Sequence, residues 1–285
     1  MPEGKLYLVG TPIGNLGDLS PRAVRTLERV DFIAAEDTRV TLKLLTHFGV
    51  KKPLLSYNEH NRAECGPRIL NRLLAGESCA LVTDAGMPAI SDPGADLVCL
   101  CAGAGVETVI VPGPCAAVSA LALSALPTQR FCFEGFLSTA NKSRMEHLES
   151  LRTERRTMIF YEAPHKLQRT LDDFLKYFGD RPLSLCRELT KVHEEVIRTT
   201  VSEAVARFAQ TPPRGEFVLI LAGAPEPEKP AFTQEQAAAL VAQYRAQGMP
   251  LRQAARRAAE DTGFSKNELY QLALSETDAE SETDA

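Results

Sequence analysis

The stretch Ala80-Leu-Val-Thr-Asp-Ala-Gly-Met-Pro-Ala-Ile-Ser-Asp-Pro-Gly94 limits what this chain can fold into more than any other. Its apolar start, Ala80 to Val82, reads as the end of a buried strand. Small residues, two prolines and two glycines follow, and the helical pattern Ala95-Asp-Leu-Val-Cys-Leu-Cys-Ala comes next. A strand that breaks into a Gly/Pro loop and returns as a helix belongs to an open α/β sheet. Such sheets bind ligands outside the carboxyl ends of their strands. Small side chains also let main-chain N–H and C=O groups approach a polar ligand closely. A tight crossover loop that binds nothing has the same composition, so the stretch alone leaves both readings open.

The segments around it repeat the pattern. Lys5–Gly10 reads as a strand and Thr11–Asp18 as its loop. Ser20 followed by Pro21 is a helix N-cap with proline at the first helical position, opening Pro21–Val30. Phe32–Ala35 is a second strand, ending on Glu36-Asp-Thr-Arg39 before a helix over Val40–Phe48. Leu54–Tyr57 is a third, followed by Asn58-Glu-His-Asn-Arg62 and a helix over Ala63–Ala75. With the apolar run that leads into Pro112-Gly-Pro114, strands and helices alternate over residues 1–112, which predicts a mainly parallel sheet. Gly10, Gly14 and Gly17 are spaced G-x-x-x-G-x-x-G, not as a dinucleotide fingerprint, and no Gly-Lys-Ser/Thr exists to make a P-loop.

Residues 113–224 read as a second α/β domain. It has a small-residue helix from Cys115 and strands at Phe131–Phe136, Thr157–Tyr161 and Leu183–Lys191. Glu194–Thr199 and Glu216–Gly223 read as its last pair of strands. Residues 225–232 are a proline-rich linker. Residues 233–274 form a helical appendage: Thr233 caps a helix ended by Gly248, a second spans Leu251–Thr262, and Ser265-Lys-Asn-Glu268 opens a third as a capping box. Helix, turn and helix make this resemble a helix-turn-helix, yet only Lys266 is basic near the start of the last helix. The final eleven residues hold five acids and no Lys or Arg, and are expected to be a disordered acidic tail.

Charge excludes little. The 285 residues carry a net charge of −5, all of it in that tail, so the rest is neutral. Asn141–His193 has eleven Lys/Arg against eight Asp/Glu, a mild basic bias and weak evidence for nucleic acid. No apolar run reaches the roughly 20 residues of a membrane span. The seven cysteines form no C-x-x-C pair, and Cys99 and Cys101 lie in an apolar run. Buried thiols and a reducing cytoplasm are therefore expected. The five histidines lack ligand spacing with cysteines or acids, so no metal site is expected.

Two sets of motifs carry a family resemblance. The first is Leu8-Val-Gly-Thr-Pro-Ile-Gly-Asn-Leu-Gly-Asp, Ala35-Glu-Asp-Thr-Arg and Val82–Gly94. The second is Val111-Pro-Gly-Pro, Leu126-Pro-Thr-Gln-Arg-Phe, Glu134-Gly-Phe-Leu and Tyr161-Glu-Ala-Pro-His. Over nearly its whole length the chain resembles the tetrapyrrole-methylase superfamily. Within it, the chain is similar to the 2′-O-ribose methyltransferases that modify a cytidine in small-subunit (16S) ribosomal RNA. The resemblance implies two α/β domains with a donor-binding cleft between them, S-adenosylmethionine as cofactor, a homodimer, and small-subunit ribosomal RNA or the 30S particle as partner. It places Ile13, Asp84, Ala85, Gly86, Met87, Ile90, Ser91, Cys115, Ala116, Tyr161 and Glu162 against the cofactor. Relatives more often carry Ser or Thr where this chain has Cys115.

Methyl transfer to a ribose hydroxyl needs a positioned nucleophile and a group to take its proton. Asp37, Glu59, His60 and Lys191 are the candidate catalytic residues, with Asp37 or Glu59 favoured as the base. Glu162 and Glu188 are further acids at strand ends. Arg39, Asn61, Arg62 and Glu188 are candidate substrate contacts, with Arg39 and Lys191 suited to phosphate. The alternatives are an Asp37–Arg39 pair that only caps the following helix, a surface role for His60, and structural ion pairs for several of the others. At the level of function, the alternatives are a methylase of a tetrapyrrole or other small molecule, and a catalytically silent RNA-binding module.

Overall fold

Every strand of the first sheet carries apolar side chains on both faces, which only a two-sided helical cover can bury. The computed structural model describes residues 4–226 and 232–283. The chain divides into two units, Met1–Ala224 and Pro225–Ala285.

The first unit begins with β1 (Leu6–Val9), α1 (Pro21–Arg29), β2 (Phe32–Ala35), α2 (Thr38–His47) and β3 (Leu54–Ser56). It continues with α3 (Arg62–Leu74), β4 (Cys79–Val82), α4 (Ala95–Gly103) and β5 (Thr108–Val111). These strands form one parallel sheet in the order β3-β2-β4-β1-β5. Alternation sorts the side chains. Ile33, Ala35, Ala80 and Val82 pack with Leu27 of α1 and Leu45 of α2, whereas Phe32, Ala34, Cys79 and Leu81 pack with Ile69 of α3 and Leu97 of α4. Ser20 accepts from the Ala23 amide and Pro21 follows it, so α1 starts where its cap dictates.

The order makes β1 and β4 special. β1 connects leftward across β4 to β2, and β4 connects rightward across β1 to β5. The covering helices therefore lie on opposite faces, and the loops after β1 and β4 diverge from a topological switch point.

Beyond α5 (Ala116–Leu123) the second sheet contains β6 (Phe131–Phe136), β7 (Thr157–Glu162), β8 (Pro182–Arg187), β9 (Glu195–Thr200) and β10 (Phe217–Leu221). Its helices are α6 (Asn141–Ser150), α7 (Pro164–Phe178) and α8 (Val201–Gln210). The strand order is β6-β7-β10-β8-β9. The expected last pair of strands is therefore not a pair: β9 runs antiparallel to β8, and β10 inserts between β7 and β8, antiparallel to both. Composition explains this. β10 is Phe-Val-Leu-Ile-Leu, buried throughout, and suits the sheet centre, whereas β9 is half polar and suits an edge. One face of this sheet packs on α6, α7 and α8 through Phe160, Leu185 and Leu219. The other carries Ile159, Cys186, Val218 and Ile220, against α5 and against Ile13 of the first loop.

The second unit is three helices: α9 (Gln234–Ala246), α10 (Leu251–Thr262) and α11 (Lys266–Thr283). Ala237, Ala254, Ala255 and Ala258 dominate its core with Val241 and Leu269. Thr233 and Gln236 form a reciprocal capping box, and the Tyr244 hydroxyl donates to Asp261 at 2.6 Å. The acidic tail differs from its expectation, because α11 continues to Thr283. From Ser275 on there is no glycine or proline to stop it, and Glu and Ala favour helix. Residues 227–231 of the expected linker lie outside the described residues.

Cys65, Cys79, Cys101 and Cys186 are buried and Cys115 and Cys132 half-buried, but Cys99 is exposed. Two residues apart on a helix point away from each other, which separates Cys99 from Cys101. Among the described residues, no helix is long and apolar enough to cross a membrane.

Phe174 sits at the centre of the α7 face, with ring centroids 4.8 Å from Phe160 and 5.4 Å from Phe178. Phe174→Ala is expected to cost about 3–5 kcal/mol, read as a lower urea midpoint with little change in slope. Thr233→Ala removes one side of the capping box and is expected to cost ~1 kcal/mol, read by thermal unfolding of the helical signal.

Candidate functional site

The loops after β1, β4 and β5 lock to one another at the switch point. Thr11 and Gly86 exchange main-chain hydrogen bonds of 2.9 and 3.2 Å, and the Thr11 hydroxyl donates to the Thr83 carbonyl at 3.1 Å. Gly10 lies against Gly113 so closely that a Cβ there would stand 2.7 Å from the Gly113 Cα and 2.6 Å from Met87 Sδ. These positions need glycine because backbone meets backbone. The loop after β1 also reaches the second sheet. A Cβ on Gly14 would stand 2.5 Å from Lys191 Cγ and 2.8 Å from Thr190 Oγ1. Glu188 and Thr190 hold φ of 51° and 67°, conformations costly for non-glycine residues and concentrated at functional sites.

Between the sheets these loops enclose a cavity of about 600 Å³. Ile13, Ala85, Gly86, Met87 and Ile90 form one wall, and Cys115, Ala116, Tyr161, Leu189, Phe217 and Val218 form the other. Most of the lining is apolar, with three carboxylates, Glu36, Asp84 and Asp92, gathered at one part. Burial raises the pKa of all three. Asp92 goes up to about 6, pushed first by desolvation and then by the charges of Glu36 and Asp84. Asp84 is also raised by Asp37, and its Oδ1 accepts from the Asp37 amide at 3.1 Å. Tyr161 accepts from the Ala117 amide at 3.1 Å, and burial lifts its phenol to about 12, so it stays protonated near neutrality.

A family model described as tetrapyrrole (corrin/porphyrin) methylases matches residues 5–205. The chain belongs to this family. A second model, described as the RsmI C-terminal HTH domain, matches residues 243–277 in the helical unit. Ribosomal RNA small subunit methyltransferase I of a Synechocystis strain is 50% identical over 95% of this chain and 98% of its own length. The proteins of that name from Halalkalibacterium halodurans and Escherichia coli O157:H7 are 46% and 44% identical. They are covered over 94% and 95% of their lengths, each matching 95% of this chain. Solved structures of the fold include uroporphyrin-III-C-methyltransferase from Thermus thermophilus. It has a TM-score of 0.54 and 22% identity, over 76% of this chain and 94% of that one. Diphthine synthase has a TM-score of 0.61 and 14% identity, over 77% of this chain and 90% of its own. A methylase of this family works with a methyl donor, and this cavity has the size and an apolar lining for one.

All the positions that the resemblance assigns to a cofactor, from Ile13 to Glu162, line this one cavity. The candidate catalytic residues do not. Asp37 is the N-cap of α2: its carboxylate accepts from the Arg39 amide at 2.8 Å and pairs with the Arg39 guanidinium at 2.6 Å. Those bonds hold its pKa near 2, which makes it a poor proton acceptor. Glu59 and His60 are exposed in the turn after β3, where the Asn58 side chain accepts from the His60 amide. Asn61 is half-buried and structural, its amide donating to the Ser56 carbonyl at 3.1 Å. Lys191 bridges Glu188 and Glu216 at 2.9 Å each, and Glu188 also accepts from the Glu216 amide, so that cluster fastens the loop after β8. Arg39 is committed to Asp37, whereas Arg62 is exposed at the start of α3.

Sequence reasoning passed over Glu36, Asp92, Phe136, His165 and Glu216 as lining residues. Glu36 and Asp92 lie inside motifs already singled out, but nothing in their spacing shows that two loops 56 residues apart converge. The Gly10–Gly113 contact yields a test. Gly10→Ala is expected to destabilise by about 1–3 kcal/mol and to loosen the loops around the cavity. Gly103→Ala, whose Cβ would meet nothing within 4 Å, is expected to be neutral or to stabilise by about 0.4–1 kcal/mol. Denaturant unfolding of the two variants reads both.

Proposed function

We propose that this chain transfers the methyl group of S-adenosylmethionine to the 2′-hydroxyl of a cytidine ribose in small-subunit ribosomal RNA. The observation that carries this reading is the identity shared, along almost the whole chain, with relatives that are named as ribosomal RNA small subunit methyltransferases.

The residues fit such a donor. Its adenine and the carbon chain beside its sulfur need apolar walls, and Ile13, Met87, Ile90, Ala116 and Val218 supply them. Its ammonium and sulfonium charges call for carboxylates, and Glu36 and Asp84 line the same cavity. Gly86, at φ 89°, lets the loop pass without a side chain. A Cβ there would stand 3.5 Å from Ile13 Cγ2 and 3.6 Å from the Pro114 carbonyl, taking space a ligand would use. When bound, the donor supplies an electrophilic methyl group. The chain's own part is to hold it, exclude water behind Tyr161 and Phe136, and orient the nucleophilic hydroxyl. Arg62, exposed beside the turn that follows β3, is the candidate to meet a phosphate flanking the target.

The reading includes a cytoplasmic enzyme acting on the assembled 30S particle or its RNA, and a homodimer. Exposed apolar side chains support the dimer: Ile110 of β5, Val118 and Leu123 of α5, and Phe131 of β6.

Transfer of tritium from labelled S-adenosylmethionine tests the reading, with 30S particles, naked 16S RNA and a tetrapyrrole precursor as acceptors. Label in an alkali-resistant dinucleotide is the expected result, because a 2′-O-methyl group blocks cleavage at the neighbouring phosphate. Label confined to the tetrapyrrole, or none in any acceptor, overturns it. Gly86→Arg is expected to abolish donor binding by calorimetry. RNA affinity is expected to fall steeply between 50 and 200 mM salt, at about the slope of one counterion released per phosphate contact.

A further inference from the structure

Four acidic groups other than Asp92 line the cavity, and each is already engaged. Glu36 Oε2 accepts from the Asp84 amide at 3.3 Å, and Asp84 Oδ1 accepts from the Asp37 amide at 3.1 Å. Glu162 accepts from the Ala163 amide at 2.9 Å and from the Thr170 hydroxyl at 2.5 Å. Glu216 is paired with Lys191 at 2.9 Å. Asp92 differs: among the described residues no hydrogen bond or ion pair reaches its carboxylate, although it is only half-exposed and lines the cavity.

Its placement is also fixed. Pro93 follows and restricts the Asp92 backbone to extended conformations. Gly94 then packs so tightly that a Cβ would stand 2.7 Å from Leu81 Cδ2 and 3.1 Å from Ala89 Cβ. Asp92 thus sits on a rigid corner between the loop and α4, as a group that must meet a reacting atom should.

We propose that Asp92 is the general base of the methyl transfer, resting on the function proposed above. Its carboxylate accepts the proton of the attacking ribose hydroxyl as the new O–C bond forms. The S–C bond breaks with its electron pair left on sulfur, giving a neutral thioether, and Asp92 then returns the proton to solvent. The rival acceptor is His165, which also lines the cavity. It is the second residue of α7. Tyr161, from β7, also faces Asp92, but its phenol is protonated near neutrality.

Electrostatics suit the role. Burial raises Asp92, and Glu36 from the end of β2 and Asp84 from the end of β4 raise it further, to about 6. A base with that value is ionised at neutral pH yet strong enough to take a proton. The sign follows. Asp92 is protonated and idle below about pH 6, and the rate rises as pH increases through that value. Removing a neighbouring charge with Glu36→Gln makes Asp92 easier to ionise and moves the limb to lower pH.

Two measurements test this. In the donor-free protein, carboxyl carbon NMR is expected to show Asp92, identified by its absence in Asp92→Asn, titrating near 6 and shifting downward in Glu36→Gln. Titration near 4 overturns the proposal. In single-turnover methylation of 30S particles at saturating donor, Asp92→Asn is expected to lose ~100-fold or more in rate and the acidic limb with it. Its donor affinity by calorimetry and its melting temperature are expected to stay near the wild-type values. A rate within about fivefold of wild type, a loss explained by weaker donor binding, or a limb abolished by His165→Ala overturns it. Failure of the wild-type chain to methylate RNA at all is a different result, and sinks the function reading instead.

Discussion

The main-chain bridge between Thr11 and Gly86 is the constraint from which the site follows. It joins the loops after β1 and β4, the two strands whose connections leave the parallel sheet in opposite directions. A switch point normally leaves a crevice that any ligand can enter. Here the bridge closes the crevice floor, and the Gly10–Gly113 contact stacks the loop after β5 behind it. With the floor sealed, the opening faces the second sheet, where Ile13 packs among Cys186, Val218 and Ala117. The cleft between the sheets is thus a consequence of how three short loops are fastened to one another.

The same fastening sets the electrostatics. Glu36, Asp84 and Asp92 would repel one another wherever they met, and burial makes their charges dearer still. The pairs Asp37–Arg39 and Lys191–Glu188–Glu216 sit nearby but are self-contained, each charge answered within the protein. Paired charges stiffen the rim, and the unpaired one is left for chemistry.

Much of the architecture was legible because it is local. Strand–helix alternation, the Ser20–Pro21 start and the boundaries of α9 and α10 follow from neighbouring residues, and so does the glycine-rich character of the loops. What was not legible depends on distant residues meeting. β10 reads as one more strand at the end of its domain, and only the pairing of Phe217–Leu221 with both β7 and β8 shows it to be central. Asp37 ends a strand and looks like a cleft residue, yet its carboxylate turns to the amide two residues on, the capping alternative open from the start. Asp92 lay inside the most informative stretch of the chain and was given no role there, because Glu36, the charge that it meets, comes from another loop.

The central position of β10 also bears on how the molecule is made. β7 and β8 are never hydrogen-bonded to each other; the strand that separates them is the last of the ten to be synthesised. A nascent chain emerging from the ribosome can complete the first sheet by residue 111, but its second sheet stays split until residue 221 is free of the exit tunnel. Through that interval the inner edges of β7 and β8 expose unpaired backbone groups, the template on which strands of other chains aggregate. Synthesis beyond residue 221 therefore protects the fold as well as adding the helical unit, since those further residues carry β10 clear of the tunnel while the chain is still attached.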